Sequence, residues 1–220
     1  MKIGFELEAF CLNVKTGNPI LVPTSLPMDE CGWLVEVRSE PHTDIVKAIH
    51  LLRAETEKVQ KLAGKNDVVL LFEPLYEIPR DLKVQAARRT GKGILQYRNV
   101  YGHETHKNST RFATASMHIS FTEERQFHYW NDSTKKNAVF TYQGFIDHAK
   151  LIFGLDAAFK EEIKQAKRNP GFYEVKYDGR IEYRSLPNNV SLGKVQSVLE
   201  NLISGTPIVE DDEEYEGEGD

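Results

Sequence analysis

The tightest constraint on this chain lies in its first ten residues, where Ile3, Phe5, Leu7 and Ala9 alternate with Gly4, Glu6, Glu8 and Phe10. Period-two patterning predicts a half-buried strand whose apolar face lies on a core. The opposite face sets Glu6 and Glu8 side by side, about 6.5–7 Å apart along the strand. That spacing suits two carboxylates gripping neighbouring divalent metal ions. A single Glu-x-Glu strand reads as a solvated sheet face. Here the arrangement recurs three more times.

Trp33, Val35 and Val37 alternate with Leu34, Glu36 and Arg38 in a strand ended by Pro41. Ala115, Met117, Ile119 and Phe121 alternate with Ser116, His118 and Ser120. Val175–Ser185 reads as a hairpin around Asp178-Gly179, a strong turn signal, and its second strand puts Arg180, Glu182 and Arg184 on one face. Val68–Phe72 is a continuous apolar run that reads as a buried strand. Between the strands, Thr43 is placed to cap a helix with Asp44 in its first turn. Its stripe is Ile45, Ile49, Leu52, Val59 and Leu62, and Gly64 stops it. Asp132 or Ser133 caps a long helical region closed by Gly154, a second piece runs from Asp156 to about Arg168, and Ser191 caps a last helix.

The stretch Pro79–Arg111 shows no clear period. From Arg88 onward it holds Arg88, Arg89, Lys92, Arg98, Lys107 and Arg111 against one acid, Glu104. Thr90-Gly91-Lys92-Gly93 fails as a phosphate loop, because position 86 is Ala where Gly is needed and 93 is Gly where Ser or Thr is needed. A basic loop beside an anionic substrate and a solvated surface loop both fit. The formal charge of −5 comes from the end of the chain: Thr206–Asp220 carries eight acidic residues and no basic one, leaving +3 on what precedes it. Residues 1–205 therefore read as a single, mildly basic domain and 206–220 as an acidic, disordered tail. Two cysteines, Cys11 and Cys31, make neither a disulfide framework nor a metal motif. With no apolar run of membrane-spanning length, the expectation is a soluble, cytoplasmic protein without a membrane partner.

Strands in one sheet align their faces, so the four polar sets converge. Carboxylates with one imidazole fit two or more Mg²⁺ or Mn²⁺ ions. Arginines interleaved with them suit phosphate, whose oxygens match the guanidinium fork.

Gly4-Phe5-Glu6-Leu7-Glu8, Leu34-Val35-Glu36-Val37-Arg38, Ala115-Ser116-Met117-His118-Ile119-Ser120 and Arg180-Ile181-Glu182-Tyr183-Arg184-Ser185-Leu186 resemble, in that order, the carboxylate–amine ligases of the glutamine synthetase and glutamate–cysteine ligase superfamily. The nearest likeness is to its small amidoligase branch in bacteria and tailed phages, type 2 of the COOH–NH2 ligases. Gly171-Phe172-Tyr173-Glu174-Val175-Lys176 strengthens it. The resemblance implies an α+β fold, glutamine synthetase-like: a curved, mainly antiparallel sheet with helices on its convex face and the active site on its concave face. It implies ATP and Mg²⁺ or Mn²⁺ as cofactors, with Glu6, Glu8, Glu36, His118 and Glu182 as metal ligands. Arg184 matches the arginine that holds phosphate there; Arg184 and Arg38 are the expected catalytic residues, and Arg38 and Arg180 are expected to contact phosphate or substrate. Relatives often carry Gly-His-x-His where this chain has Ser116-Met117-His118, so the first histidine is missing.

The implied activity is ATP-dependent joining of a small-molecule or peptide carboxylate to an amine through an acyl phosphate, in the host cytoplasm if phage-encoded. A phosphagen-type guanidinium kinase uses a related sheet and makes no amide. A non-catalytic nucleotide- or nucleic-acid-binding protein would use the basic Arg88–Arg111 stretch but gains nothing from five metal-type ligands. The acidic tail has no apolar stripe to bury, so deleting Thr206–Asp220 is expected to leave the melting temperature nearly unchanged. A large drop in a thermal melt would show that the tail docks.

Overall fold

The structure, a computed structural model, describes residues 1–29, 32–90, 112–122, 142–176 and 180–205. Its centre is β1 (Lys2–Asn13), which extends well past the alternating segment. It ends where the Asn13 carboxamide oxygen accepts the backbone N–H groups of Lys15 and Thr16 at 3.0 and 3.1 Å. A turn follows in which the Gly17 N–H donates to the Asn13 carbonyl oxygen at 2.8 Å, with Gly17 at φ +67°, a conformation glycine adopts freely.

β2 (Leu34–Arg38) lies on one side of β1, and β6 (Ser116–Thr122) on the other. β8 (Ile181–Pro187) pairs with β6, and β7 (Tyr173–Val175) with β8, giving the order β2-β1-β6-β8-β7. β3 (Val68–Leu71) pairs with the far end of β1, from Phe10 to Asn13. Every pairing is antiparallel, and the sheet is open. β3 sits at an edge and not in the buried interior expected of Val68–Phe72: Val69 is 47 % exposed. A separate two-stranded ribbon joins β4 (Leu75–Glu77) to β5 (Phe112–Thr114).

Helices cover one face of the sheet. α1 (Ile45–Gly64), α3 (Tyr142–Ala158) and α5 (Leu192–Ser204) pack their apolar stripes on Ile3, Phe5, Leu7, Val35, Val37, Ile119, Phe121 and Tyr183. The stripe read from the sequence is the one α1 uses, with Ile49, Leu52 and Val59 buried and Ile45 and Leu62 packed beside them. Cys11 lies in this core, and burial pushes its thiol up to about 12, which makes it an inert packing residue. Cys31 lies outside the described residues. So do 91–111, 206–220 and the Asp132 or Ser133 cap.

Several local details differ from the sequence reading. The cap of α1 is Asp44 and not Thr43: its carboxylate accepts the Lys47 N–H at 3.0 Å, one residue later than expected. Ser191 caps α5 as expected. Residues 80–90, within the stretch without a clear period, form α2 (Arg80–Thr90). Its buried stripe is hard to see because one position is a lysine, Lys83, which lies 6.0 Å from the centre of the Trp33 ring. α2 covers a second apolar cluster of Phe10, Trp33, Leu34, Ile78, Ala86 and Ala115. Phe10 and Leu34 stand on the face of the sheet that carries Glu8 and Glu36, so this cluster closes one end of the polar face. Trp33 and Ala115 belong to it, and not to the helix-covered face on which alternation placed them, because both residues precede their strands.

Gly154 does not close a helix. α3 runs through it to Ala158, and α4 (Lys160–Gln165) follows, shorter than the piece expected to reach Arg168. The missing side chain lets α5 approach: a Cβ on residue 154 would sit 2.2 Å from Leu202 Cδ2. Gly154→Ala should therefore destabilise the protein by about 1 kcal/mol, overpacking outweighing the gain in helix propensity. In a denaturant titration, Leu202→Ala should cost less in the Gly154→Ala background than alone, since it removes the clash; strict additivity would contradict the packing.

Candidate metal centre

The face of the sheet opposite these helices gathers the polar sets of four strands. In register, Glu6 stands between Arg38 on β2 and His118 on β6, Glu8 stands opposite Glu36, and Glu182 on β8 stands opposite Ser120. The side chains of Glu6, Glu8, Glu36, His118, Glu182 and Arg184 are all buried. Arg38 is the exposed member of the group, and Arg180 is partly exposed. All eight residues singled out from the sequence thus share one face of one sheet.

His118 is the hub. Its Nδ1 lies 3.3 Å from Glu6 Oε2 and 3.5 Å from Glu182 Oε1, and its Nε2 lies 3.7 Å from Glu8 Oε1. Ser116, two residues earlier on the same face, orients the ring. The Ser116 hydroxyl donates to Glu8 Oε2 at 2.7 Å, and the Ser116 N–H donates to the same oxygen at 2.7 Å. With its proton spent on Glu8, the hydroxyl accepts from His118 Nε2, 2.8 Å away. The nitrogen turned toward Glu6 and Glu182 is then Nδ1, the one placed to meet a metal.

Glu6, Glu36 and His118 each bring one ligand atom within 4.8 Å of the other two. Ligands of one Mg²⁺ ion, each about 2.1 Å from it, lie within about 4.2 Å of one another. Only a slight contraction would close the set on an ion, and two carboxylates with one imidazole suit Mg²⁺ or Mn²⁺. The Ser120 hydroxyl is buried on the same face without a hydrogen-bond partner among the described residues, as a polar group facing a ligand would be.

Without an ion, the two acids hold a proton between them. Burial, the hydrogen bond to Glu6 and the charge of Glu6 raise the Glu36 carboxyl far above the ordinary carboxylate range, against the pull of Arg38. Burial also raises Glu6, but hydrogen bonds from His118 and Glu36 and the charges of His118 and Arg38 outweigh it and hold Glu6 ionised. The Arg38 guanidinium closes the pair, 2.9 Å from Glu36 Oε2 and 3.3 Å from Glu6 Oε1. Its 65 % exposure leaves it free to swing outward.

Three residues of the site were not singled out from sequence. Ser116 was seen only as a face-sharing residue. Glu174 and Lys176, on and just beyond β7, join Glu182 and Arg184 in a ring of ion pairs: Arg184 Nε–Glu182 Oε1 2.8 Å, Arg184 Nη1–Glu174 Oε2 2.8 Å, Lys176 Nζ–Glu174 Oε2 2.9 Å and Lys176 Nζ–Glu182 Oε2 3.2 Å. The alternation Phe172, Glu174, Lys176 is their sequence signal, hidden by the shortness of the strand. Arg168 buttresses the ring by donating to the carbonyl oxygens of Arg184 and Ser185 at 2.6 and 3.1 Å.

No protein-family model matches the chain, and no curated protein matches it in sequence. Among the described residues, no helix is long and apolar enough to cross a membrane.

The shared proton sets a pH dependence. A metal must displace it from Glu36, so binding near neutral pH should release at least one proton, and the Kd for Mn²⁺ should fall at least tenfold per pH unit until Glu36 ionises. In the metal-free protein, the folded state binds the Glu36 proton and the unfolded state does not. Stability is therefore lost as pH rises above the ordinary glutamate range, and Glu36→Gln should flatten that slope. Calorimetry in buffers of differing ionisation enthalpy counts the protons; a pH-independent Kd would contradict the arrangement.

Proposed function

We propose that the chain is an ATP-dependent carboxylate–amine ligase of the amidoligase kind, with residues 1–205 as its catalytic domain. One observation carries the reading: on a single buried sheet face, Glu6, Glu36 and His118 form a ready ligand set, with carboxylates of Glu8 and Glu182 beside it and three arginines around it. An anion-binding surface needs arginines alone. Buried carboxylates at this density fit a site that also takes cations and binds polyphosphate through them. The order of the four motifs, which resembles that of the glutamine synthetase superfamily, adds the reaction class. In that reading the polar face is the concave, nucleotide-binding side of the sheet.

Glu6, Glu36 and His118 would hold Mg²⁺ or Mn²⁺, whose charge would offset that of the nucleotide phosphates. Ser116 keeps His118 in the orientation that presents Nδ1. Arg38, held among the described residues by the two carboxylates it neutralises, would leave them for the phosphate side. Arg180, with Nη1 4.0 Å from Glu6 Oε1, would flank the same edge. Arg184 is the pre-organised member: Glu174 and Glu182 fix its guanidinium, so little order is lost when it contacts a phosphoryl group. The γ-phosphoryl group would pass to the substrate carboxylate, and the amine would displace phosphate from the acyl phosphate. The chain's own nucleophiles are not required.

Hydroxylamine tests this chemistry. With ATP, Mg²⁺ and a panel of amino acids and dicarboxylic acids, an acid that is a substrate should yield its hydroxamate, with one ADP and one phosphate released per product. Glu6→Gln should abolish ADP release while the protein still melts cooperatively. Arg184→Ala should slow it at least a hundredfold, the scale of one lost charge-stabilising group. Release of AMP and pyrophosphate would overturn the family reading. Phosphorylated guanidine without hydroxamate would mark a guanidinium kinase, and salt-sensitive nucleic-acid binding without ATP turnover a binding protein.

A further inference from the structure

We infer that the Lys176 ammonium stands where a second divalent cation would otherwise bind, so that the centre takes one metal ion per chain. The inference rests on the metal centre proposed above and concerns its composition.

Glu182 is fully buried and, by its place beside His118, belongs among the candidate ligands. A buried carboxylate has to be met by positive charge or by hydrogen bonds. Glu182 has a cation of the chain beside each oxygen, although neither oxygen takes a hydrogen bond among the described residues: Arg184 Nε lies 2.8 Å from Oε1, and Lys176 Nζ lies 3.2 Å from Oε2. Across the strand pair, Glu174 stands in register with Glu182, two like charges directly opposed. Such a pair calls for a cation between its members. Lys176 Nζ provides it, 2.9 Å from Glu174 and 3.2 Å from Glu182. Glu174 and Glu182 are therefore balanced by Lys176 and Arg184, one for one. Among the described residues, the Glu174–Glu182 pair leaves no negative charge over to draw a divalent ion.

The other half of the site is built differently. Glu6 and Glu36 are met by the Arg38 guanidinium, which can swing outward from a side chain 65 % exposed. Lys176 has no such freedom. Its side chain is only 19 % exposed, and its backbone N–H is tied to the Arg180 carbonyl oxygen at 2.9 Å. The movable cation lies where Glu6, Glu36 and His118 can close on an ion. The fixed one lies beside Glu182.

The test is the number of Mn²⁺ ions bound by the full chain, counted by equilibrium dialysis and by the electron paramagnetic resonance spectrum. Wild type should bind one, with the six-line spectrum of an isolated ion. Lys176→Met removes the ammonium at nearly constant length and should bind two, with the spectrum broadened by the neighbouring ion. Lys176→Arg keeps the charge and should bind one. If Lys176→Met does not fold, Lys176→Gln supplies the neutral side chain with the same expected count. Two ions in wild type would overturn the inference and leave the metal centre standing, as would a count of one in the neutral variant. No Mn²⁺ in wild type would overturn the metal centre itself, and this inference with it.

Discussion

Crowding of buried acids on one face of a sheet is the constraint on which the rest of this structure depends. Glu6, Glu8, Glu36 and Glu182 are each withdrawn from water within reach of one imidazole. Removing the partner of a buried charge commonly costs about 3–5 kcal/mol, so each acid needs its own compensation. Four different devices supply it: a proton shared by Glu6 and Glu36, the Arg38 guanidinium, the two hydrogen bonds from Ser116 to Glu8, and the cations Lys176 and Arg184 on Glu182. The diversity has a consequence for function. Compensation by a proton or an exposed arginine is exchangeable, whereas compensation by a tethered lysine is built in.

The scaffold around the site follows from the same demand. A strand can place acids at fixed spacing on one face only if its other face is anchored, and Ile3, Phe5 and Leu7 anchor β1 under α1 and its neighbours. Long antiparallel pairing then holds Glu6 opposite Arg38 and His118 without loops intervening. The second apolar cluster, with Phe10 and Tyr76 rings 5.5 Å apart under α2, seals the end of the polar face nearest Glu8 and Glu36. Sealing of this kind lowers the local dielectric and strengthens every charge interaction beside it.

Much of the site was legible because β-strand alternation is a one-dimensional rule. Once Ile3, Phe5 and Leu7 are read as core, Glu6 and Glu8 must face the other way, and the same holds for Glu36, His118 and Glu182 against their apolar neighbours. α2 was hidden, since propensity and patterning fail when a buried position carries lysine, as at Lys83. The identities of Trp33 and Ala115 were legible but their sides were not: alternation binds only residues inside a strand, and both lie just outside one.

Sequence alone determined which residues share a face, because that depends on the pleat of each strand taken separately. Which residues meet across strands was decided by register, and register is a tertiary quantity. A two-residue Asp178-Gly179 turn would pair Val175 with Glu182; the observed register pairs Glu174 with Glu182. One residue of slip carries a strand's alternate side chains to the opposite face. The pairing as it stands brings Glu174 and Lys176 to Glu182 and Arg184. The bulge between β6 and β8 is a second such decision, returning Leu186 to the core face beside Met117 after Arg184 has been delivered to the site. Neither choice can be read from a single strand, since each minimises the energy of two strands and the core beneath them together.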